Sequence, residues 1–218
     1  MGRAAAHPPA GRQRGGKMRI LVLADQESKA LYEYYSPEKL EGVDLILACG
    51  DLPREYLEFF ATMTHVPVLY VRGNHDQWCD REAPGGCECI EDRIFVYRGV
   101  RILGLGGSMR YHPYASGQYS ERQMRRRILG LWWKLLQHRG FDILVTHAPA
   151  AGVHDLPDLP HRGFGCFRAL LEQYHPKLFV HGHVHATYGG FRRVDYYQDT
   201  MVVNAYEHYI RDYPDKNR

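Results

Sequence analysis

Val66-Pro67-Val68-Leu69-Tyr70-Val71-Arg72-Gly73-Asn74-His75-Asp76 joins an apolar run to an amide, an imidazole and a carboxylate across one glycine. A short aliphatic run bounded by polar residues reads as a strand buried on both faces, as in parallel sheets that helices cover. Ligand groups in such sheets collect outside the carboxyl ends of the strands. Three polar side chains at that position therefore mark a catalytic edge.

The pattern recurs along the chain. Arg19-Ile20-Leu21-Val22-Leu23-Ala24 ends in Asp25, and Asp44-Leu45-Ile46-Leu47-Ala48-Cys49 runs into Gly50-Asp51. Phe141-Asp142-Ile143-Leu144-Val145-Thr146 ends in His147, and Lys177-Leu178-Phe179-Val180-His181 ends in Gly182-His183-Val184-His185. Five strand ends thus deliver Asp25, Asp51, Asn74, His75, His147, His183 and His185 to one rim. Carboxylate, amide and imidazole together suit hard or borderline divalent cations. So many donors over-supply a single ion, and the rim reads as a two-metal site. Asp51 is the best bridging candidate, because it follows a glycine on a strand between two other ligand-bearing strands. His181 reads instead as a hydrogen-bonded core residue.

Taken in order, Asp25, Gly50-Asp51, Gly73-Asn74-His75-Asp76, Thr146-His147 and Gly182-His183-Val184-His185 resemble the motifs of the calcineurin-like metallophosphoesterase superfamily, over residues from about 18 to 206. The resemblance implies an α/β (α+β) sandwich of two mixed β-sheets packed face to face and flanked by helices. It also implies two divalent metal ions, manganese first, with iron, zinc, magnesium or nickel as alternatives. By resemblance Asp25, Asp51 and His185 would hold one metal, and Asp51, Asn74, His147 and His183 the other. His75 would assist the leaving oxygen of a phosphate ester and Asp76 would orient its imidazole, with attack by a hydroxide that bridges the metals. The implied enzyme is a metal-dependent phosphoesterase acting on a small phosphodiester. A catalytically weak protein-binding scaffold on the same fold is the alternative. One departure concerns the first strand, where the family has Asp-x-His and this chain has Asp25-Gln26-Glu27. Glu27 is expected to replace the imidazole as an oxygen ligand, favouring harder ions such as manganese or magnesium. The competing reading has Glu27 opening a helix.

A chain of 218 residues, 44% hydrophobic and 24% charged, suits one enzyme domain, here residues 18–218. Arg3, Arg12, Arg14 and Lys17 contribute +4 against a net charge of +3, which leaves the remainder at −1. Residues 1–17 are therefore expected to be a disordered basic tail, or a segment upstream of a true start at Met18. A nearly neutral body argues against a nucleic-acid partner. No apolar run approaches the ~20 residues that cross a bilayer, so no membrane partner and a cytoplasmic location are expected. Cys49, Cys79, Cys87, Cys89 and Cys166 lack paired zinc spacing and read as reduced thiols.

Specificity is expected to come from the segments between the metal blocks. Gly106-Gly107-Ser108-Met109-Arg110-Tyr111 is a glycine turn whose backbone can approach the rim, with Arg110 a phosphate-binding candidate. Ser120-Glu121-Arg122-Gln123 has the form of a capping box, opening a helix expected to run through Trp132 and Trp133 to His138. The tryptophans read as core, and Arg125-Arg126-Arg127 as a solvated face. The Pro-, Gly- and Asp-rich segment 148–162 offers His161 and Arg162 as substrate-binding candidates. Phe191–Tyr197 and Thr200–Tyr206 read as strands of a second sheet.

Overall fold

The computed structural model describes residues 17–77, 82–188 and 191–214. Arg3, Arg12, Arg14 and Cys79 lie outside the described residues. The first half runs β1 (Lys17–Ala24), β2 (Leu45–Ala48), α1 (Arg54–Met63), β3 (Val68–Tyr70), β4 (Cys87–Cys89), β5 (Arg93–Tyr97) and β6 (Val100–Leu105). Then follow β7 (Ser108–Met109), β8 (Gln118–Tyr119), α2 (Glu121–Gly130), α3 (Trp132–His138), β9 (Ile143–Thr146) and α4 (Gly165–Tyr174). Strands β10 (Leu178–His181), β11 (Val194–Tyr197), β12 (Thr200–Asn204) and β13 (Glu207–Pro214) complete the order.

Two large sheets form, in the orders β13-β1-β2-β3-β4 and β11-β12-β10-β9-β6-β5. Strands β1, β2 and β3 pair in parallel in the first sheet and β6, β9, β10 and β12 in the second, while β13, β11 and β5 pair antiparallel at the edges. Successive side chains of a strand point to opposite faces, and the aliphatic runs divide accordingly. Ile20, Val22, Leu45 and Leu47 face Ile102, Ile143, Val145 and Val180 between the sheets. The alternate residues Leu21, Leu23 and Ile46 pack under Tyr56, Leu57 and Phe60 of α1. Leu103, Leu144 and Phe179 pack under Met124, Leu135, Phe167 and Leu170 of α2, α3 and α4. The result is a helix-sheet-sheet-helix sandwich, the expected fold class.

The capping box at Ser120 and Gln123 is present with both reciprocal bonds. Two expectations for the helix that follows are corrected. The helix is not continuous, because it closes at Gly130, and Leu131 at φ −94° and ψ −3° separates α2 from α3. Trp132 and Trp133 are not core but 59% and 62% exposed, since Met124, Leu131 and Leu135 already fill the inward face. Of the three arginines, Arg125 and Arg126 are solvated as expected. Arg127 turns inward, with its guanidinium 4.5 Å from the Tyr119 ring and ion-paired to Asp92.

Candidate metal centre

Asp25, Asp51, Asn74, His147 and His183 each follow the carboxyl end of a parallel strand. Three of these turns hold non-glycine residues in the left-handed region, at φ 65° for Asp25, 56° for Asp51 and 69° for His183. Such a conformation costs on the order of 1–3 kcal/mol for each residue and persists where surrounding bonds over-determine it. Those bonds are present. The Asp25 carboxylate accepts from the His183 N–H at 2.9 and 3.0 Å, tying one sheet to the other. Asp51 Oδ1 accepts from the His75 N–H at 2.8 Å. Asp76 Oδ2 accepts from the N–H groups of both Asp51 and Gly73, at 2.8 and 2.7 Å.

Two glycines make this crowding feasible. A Cβ on Gly73 would stand 1.9 Å from Asp51 Oδ1, and one on Gly50 would stand 2.3 Å from the Gly73 nitrogen. The loops carrying Asp51 and Asn74 are therefore in backbone contact.

Asp51, His147 and His183 place ligand atoms within 4.8 Å of one another. The tautomers follow from the partners. His147 Nδ1 lies 2.8 Å from the Cys49 carbonyl, which can only accept, so Nδ1 carries a proton. His147 Nε2 then faces Asn74 Oδ1 at 3.0 Å and Asp51 Oδ2 at 3.3 Å. Asn74 Nδ2 points the other way, donating to the Tyr111 hydroxyl at 3.3 Å. His183 Nε2 donates to the Pro160 carbonyl at 2.8 Å, which leaves its Nδ1 lone pair free. Lone pairs of nitrogen and oxygen thus converge on one point, an arrangement that only a positive charge reconciles.

The electrostatics carry the same demand. Burial opposes charge on Asp51, yet the neighbouring His147 and the His75 N–H hold its carboxyl well below the usual carboxylate range. Burial also opposes charge on His147, but Asp51 beside it raises the imidazole to about 10. A proton here occupies the role for which a divalent cation is the stronger candidate. His183 is pushed down to about 3, first by burial and then by His147, which keeps its imidazole neutral. The donor set therefore fits a metal.

Asp25 and His185 form the adjoining part of the rim. The Asp25 carboxylate is fully buried, and His185 Nε2 lies 3.7 Å from its Oδ1. The His185 ring stacks on Tyr188 at 5.0 Å and lies 5.1 Å from Tyr206, whose hydroxyl bonds Gln26. Glu27 is half-buried and stands outside the three-residue cluster. Its carboxylate acts on the Tyr56 phenol, which burial mainly, and Glu27 secondarily, keep protonated.

His75 is exposed at the mouth of a cavity of about 760 Å³, shared with Asp51, Arg54, Glu55, Asp76 and Glu82. Asp76 is buried, and among the described residues its hydrogen bonds run to backbone amides, a clamping role that the sequence did not suggest. Its replacement by alanine would orphan two amides, each costing about 1–3 kcal/mol when left unsatisfied. Asp76→Ala is accordingly expected to lower the urea midpoint with an unchanged slope, in equilibrium unfolding followed by circular dichroism.

The specificity candidates separate. His161 lies beside the cluster, its ring 5.3 Å from that of His183 and 4.4 Å from Tyr188, with Nδ1 donating to Asp158. Arg162 is exposed, and Arg110 donates to the Gln118 carbonyl at 3.2 Å. Tyr111, the next residue, is the one that reaches the site, and its only sequence signal was its place on the Gly106-Gly107 turn. That turn does approach the rim, the Gly107 N–H donating to the Arg72 carbonyl at 2.8 Å. His181 is fully buried between His154 and the Gly182 carbonyl, a core residue as expected.

The family model for calcineurin-like phosphoesterases matches residues 18–187. Metallophosphoesterase domain-containing protein 1 of Homo sapiens, and likewise of Mus musculus, is 24% identical over 214 residues. That match covers 80% of this chain, which spans 62% of the length of those relatives. Among solved structures, TT1561 of Thermus thermophilus superposes with a TM-score of 0.62 at 18% identity, covering 88% of this chain and 90% of that one. At such identity the likeness is one of fold. No helix among the described residues is long and apolar enough to cross a membrane.

Proposed function

The chain belongs to the calcineurin-like phosphoesterase family, and from that premise we propose that it hydrolyses a small phosphodiester at a centre of two divalent cations, manganese first. The observation that carries the proposal is the convergence of His147 Nε2, Asn74 Oδ1 and Asp51 Oδ2, lone pairs facing one another in a buried site. Asn74, His147 and His183 would hold one cation, Asp25 and His185 the other, and Asp51 would lie between them. Glu27 is assigned to the Asp25 side as an oxygen donor, by its position two residues further along the chain.

Cations bound there would neutralise phosphate oxygens and acidify the attacking water. The chain's own groups supply the rest. The Cys49 and Pro160 carbonyls fix the tautomers of His147 and His183, so that each presents one lone pair inward. Tyr111 fixes the Asn74 amide with its oxygen inward. His75, free of the cluster and open to the cavity, is placed to give a proton to the departing oxygen. Asp76 holds its loop and, in this proposal, steadies the imidazole.

The test begins with protein purified without chelator. Elemental analysis is expected to find about two divalent ions for each chain, and manganese-supplemented protein to hydrolyse a chromogenic diester faster than the corresponding monoester. Chelation should abolish both turnovers. A metal-free, inactive protein that stays so after manganese addition would instead support a binding scaffold.

A further inference from the structure

Helices α2 and α3 carry two apolar stripes where a surface helix needs one. The inward stripe, Met124, Ile128, Leu131 and Leu135, packs on the sheet formed around β9. The outward groups are Leu129 at the end of α2 and Trp132, Trp133 and Leu136 on α3, all 59% to 67% exposed. The two indoles lie edge to face at 5.5 Å, forming one projection rather than scattered contacts. α3 also packs against β5, where Val96 adds a further exposed aliphatic side chain. Exposed apolar groups this concentrated mark an interaction face.

The charge around those groups selects the partner. Residues 122–141 contain Arg122, Arg125, Arg126, Arg127, Lys134 and Arg139 and no acid. Arg125 and Arg127 are ion-paired with Glu121 and Asp92, while Arg122, Arg126, Lys134 and Arg139 are exposed. Arg122, Arg126 and Leu129 lie at i, i+4 and i+7 on one face of α2, so cations stand on the same face as the exposed leucine that leads into α3. A second copy would bring like charges together, which disfavours self-association. Tryptophan and leucine on one face with arginine and lysine alongside suit the boundary between acyl chains and anionic headgroups.

We propose that the α2-α3 face docks this protein on a bilayer surface bearing anionic lipids. The expectation of no membrane partner rested on the lack of a spanning segment, and a surface contact requires none. The contact leaves the metal centre's ligands unused and is independent of the proposed reaction.

The full chain is mixed with vesicles of phosphatidylcholine, alone or with phosphatidylglycerol, and sedimented. Partition to the mixed vesicles is expected to exceed that to pure phosphatidylcholine by about tenfold or more, to weaken with added salt, and to shift tryptophan emission to the blue. Trp132→Ser/Trp133→Ser, which leaves Arg3, Arg12, Arg14 and Lys17 in place, is expected to reduce partition about tenfold with melting temperature and phosphodiester turnover unchanged. Arg122→Glu/Arg126→Glu should act in the same direction. Wild type that ignores anionic vesicles overturns the proposal, as does a double tryptophan variant that partitions like wild type. A concentration-dependent dimer that this variant abolishes would also overturn it, assigning the face to a second copy.

Discussion

Asp51→Asn is expected to empty the metal centre and abolish hydrolysis, while the protein stays folded. Asparagine preserves the shape and keeps an oxygen for the His75 N–H, so the substitution removes charge and little else. Charge is what the site uses. Asp51 is the carboxylate within the cluster formed with His147 and His183, and it is the group that raises the His147 imidazole against the cost of burial. Removing even a partner of a metal ligand typically lowers metal affinity by about 10–100-fold, and removing the proposed shared ligand should exceed that. Titration calorimetry with manganese measures the loss directly. In the metal-free variant the His147 imidazole is also expected to titrate well below its present value of about 10, which nuclear magnetic resonance can follow.

His75→Ala should give the opposite pattern, with metal content unchanged and turnover slowed by about 10²–10⁴-fold, the usual contribution of a positioned general acid. The split is expected because the backbone contact of this residue and its proposed acid role sit on different atoms. Its backbone N–H supports Asp51 and survives the substitution, whereas its imidazole faces the cavity outside the donor set. A diester with a better leaving group needs less protonation and should lose less. Wild-type turnover in His75→Ala would remove the imidazole from the reaction, and loss of metal would reassign it to the metal centre.

The contrast between these variants reflects how the site was legible. Strands β1, β2, β3, β9 and β10 are buried on both faces, so their sequences are continuous aliphatic runs and their polar ends stand out. Strands β4, β5 and β13 carry Cys-Glu-Cys, Arg93 and alternating polar residues, and their half-buried faces give no comparable signal. The candidate ligand positions were therefore visible, but what fixes them was not. Asp76 as a clamp between loops and Tyr111 as the partner of Asn74 depend on contacts 25 and 37 residues apart, which local pattern does not encode. The tryptophans failed for a related reason. Residue type favours burial, but which of two apolar stripes faces inward is decided by the sheet beneath.

Strand β13 pairs with β1 along its whole length, from Lys17 opposite Pro214 to Ala24 opposite Glu207. The earliest of the described strands to be synthesised is thus completed by the latest, and its edge stays open until residue 214 has left the ribosome. Closing so long a loop is slow relative to local pairing, and an open aliphatic edge is prone to foreign partners in the interval. Asp25, at the end of that strand, also receives its amide from His183 in the other sheet. The Asp25 side of the rim therefore joins residues 158 positions apart and cannot be completed before His183 has emerged.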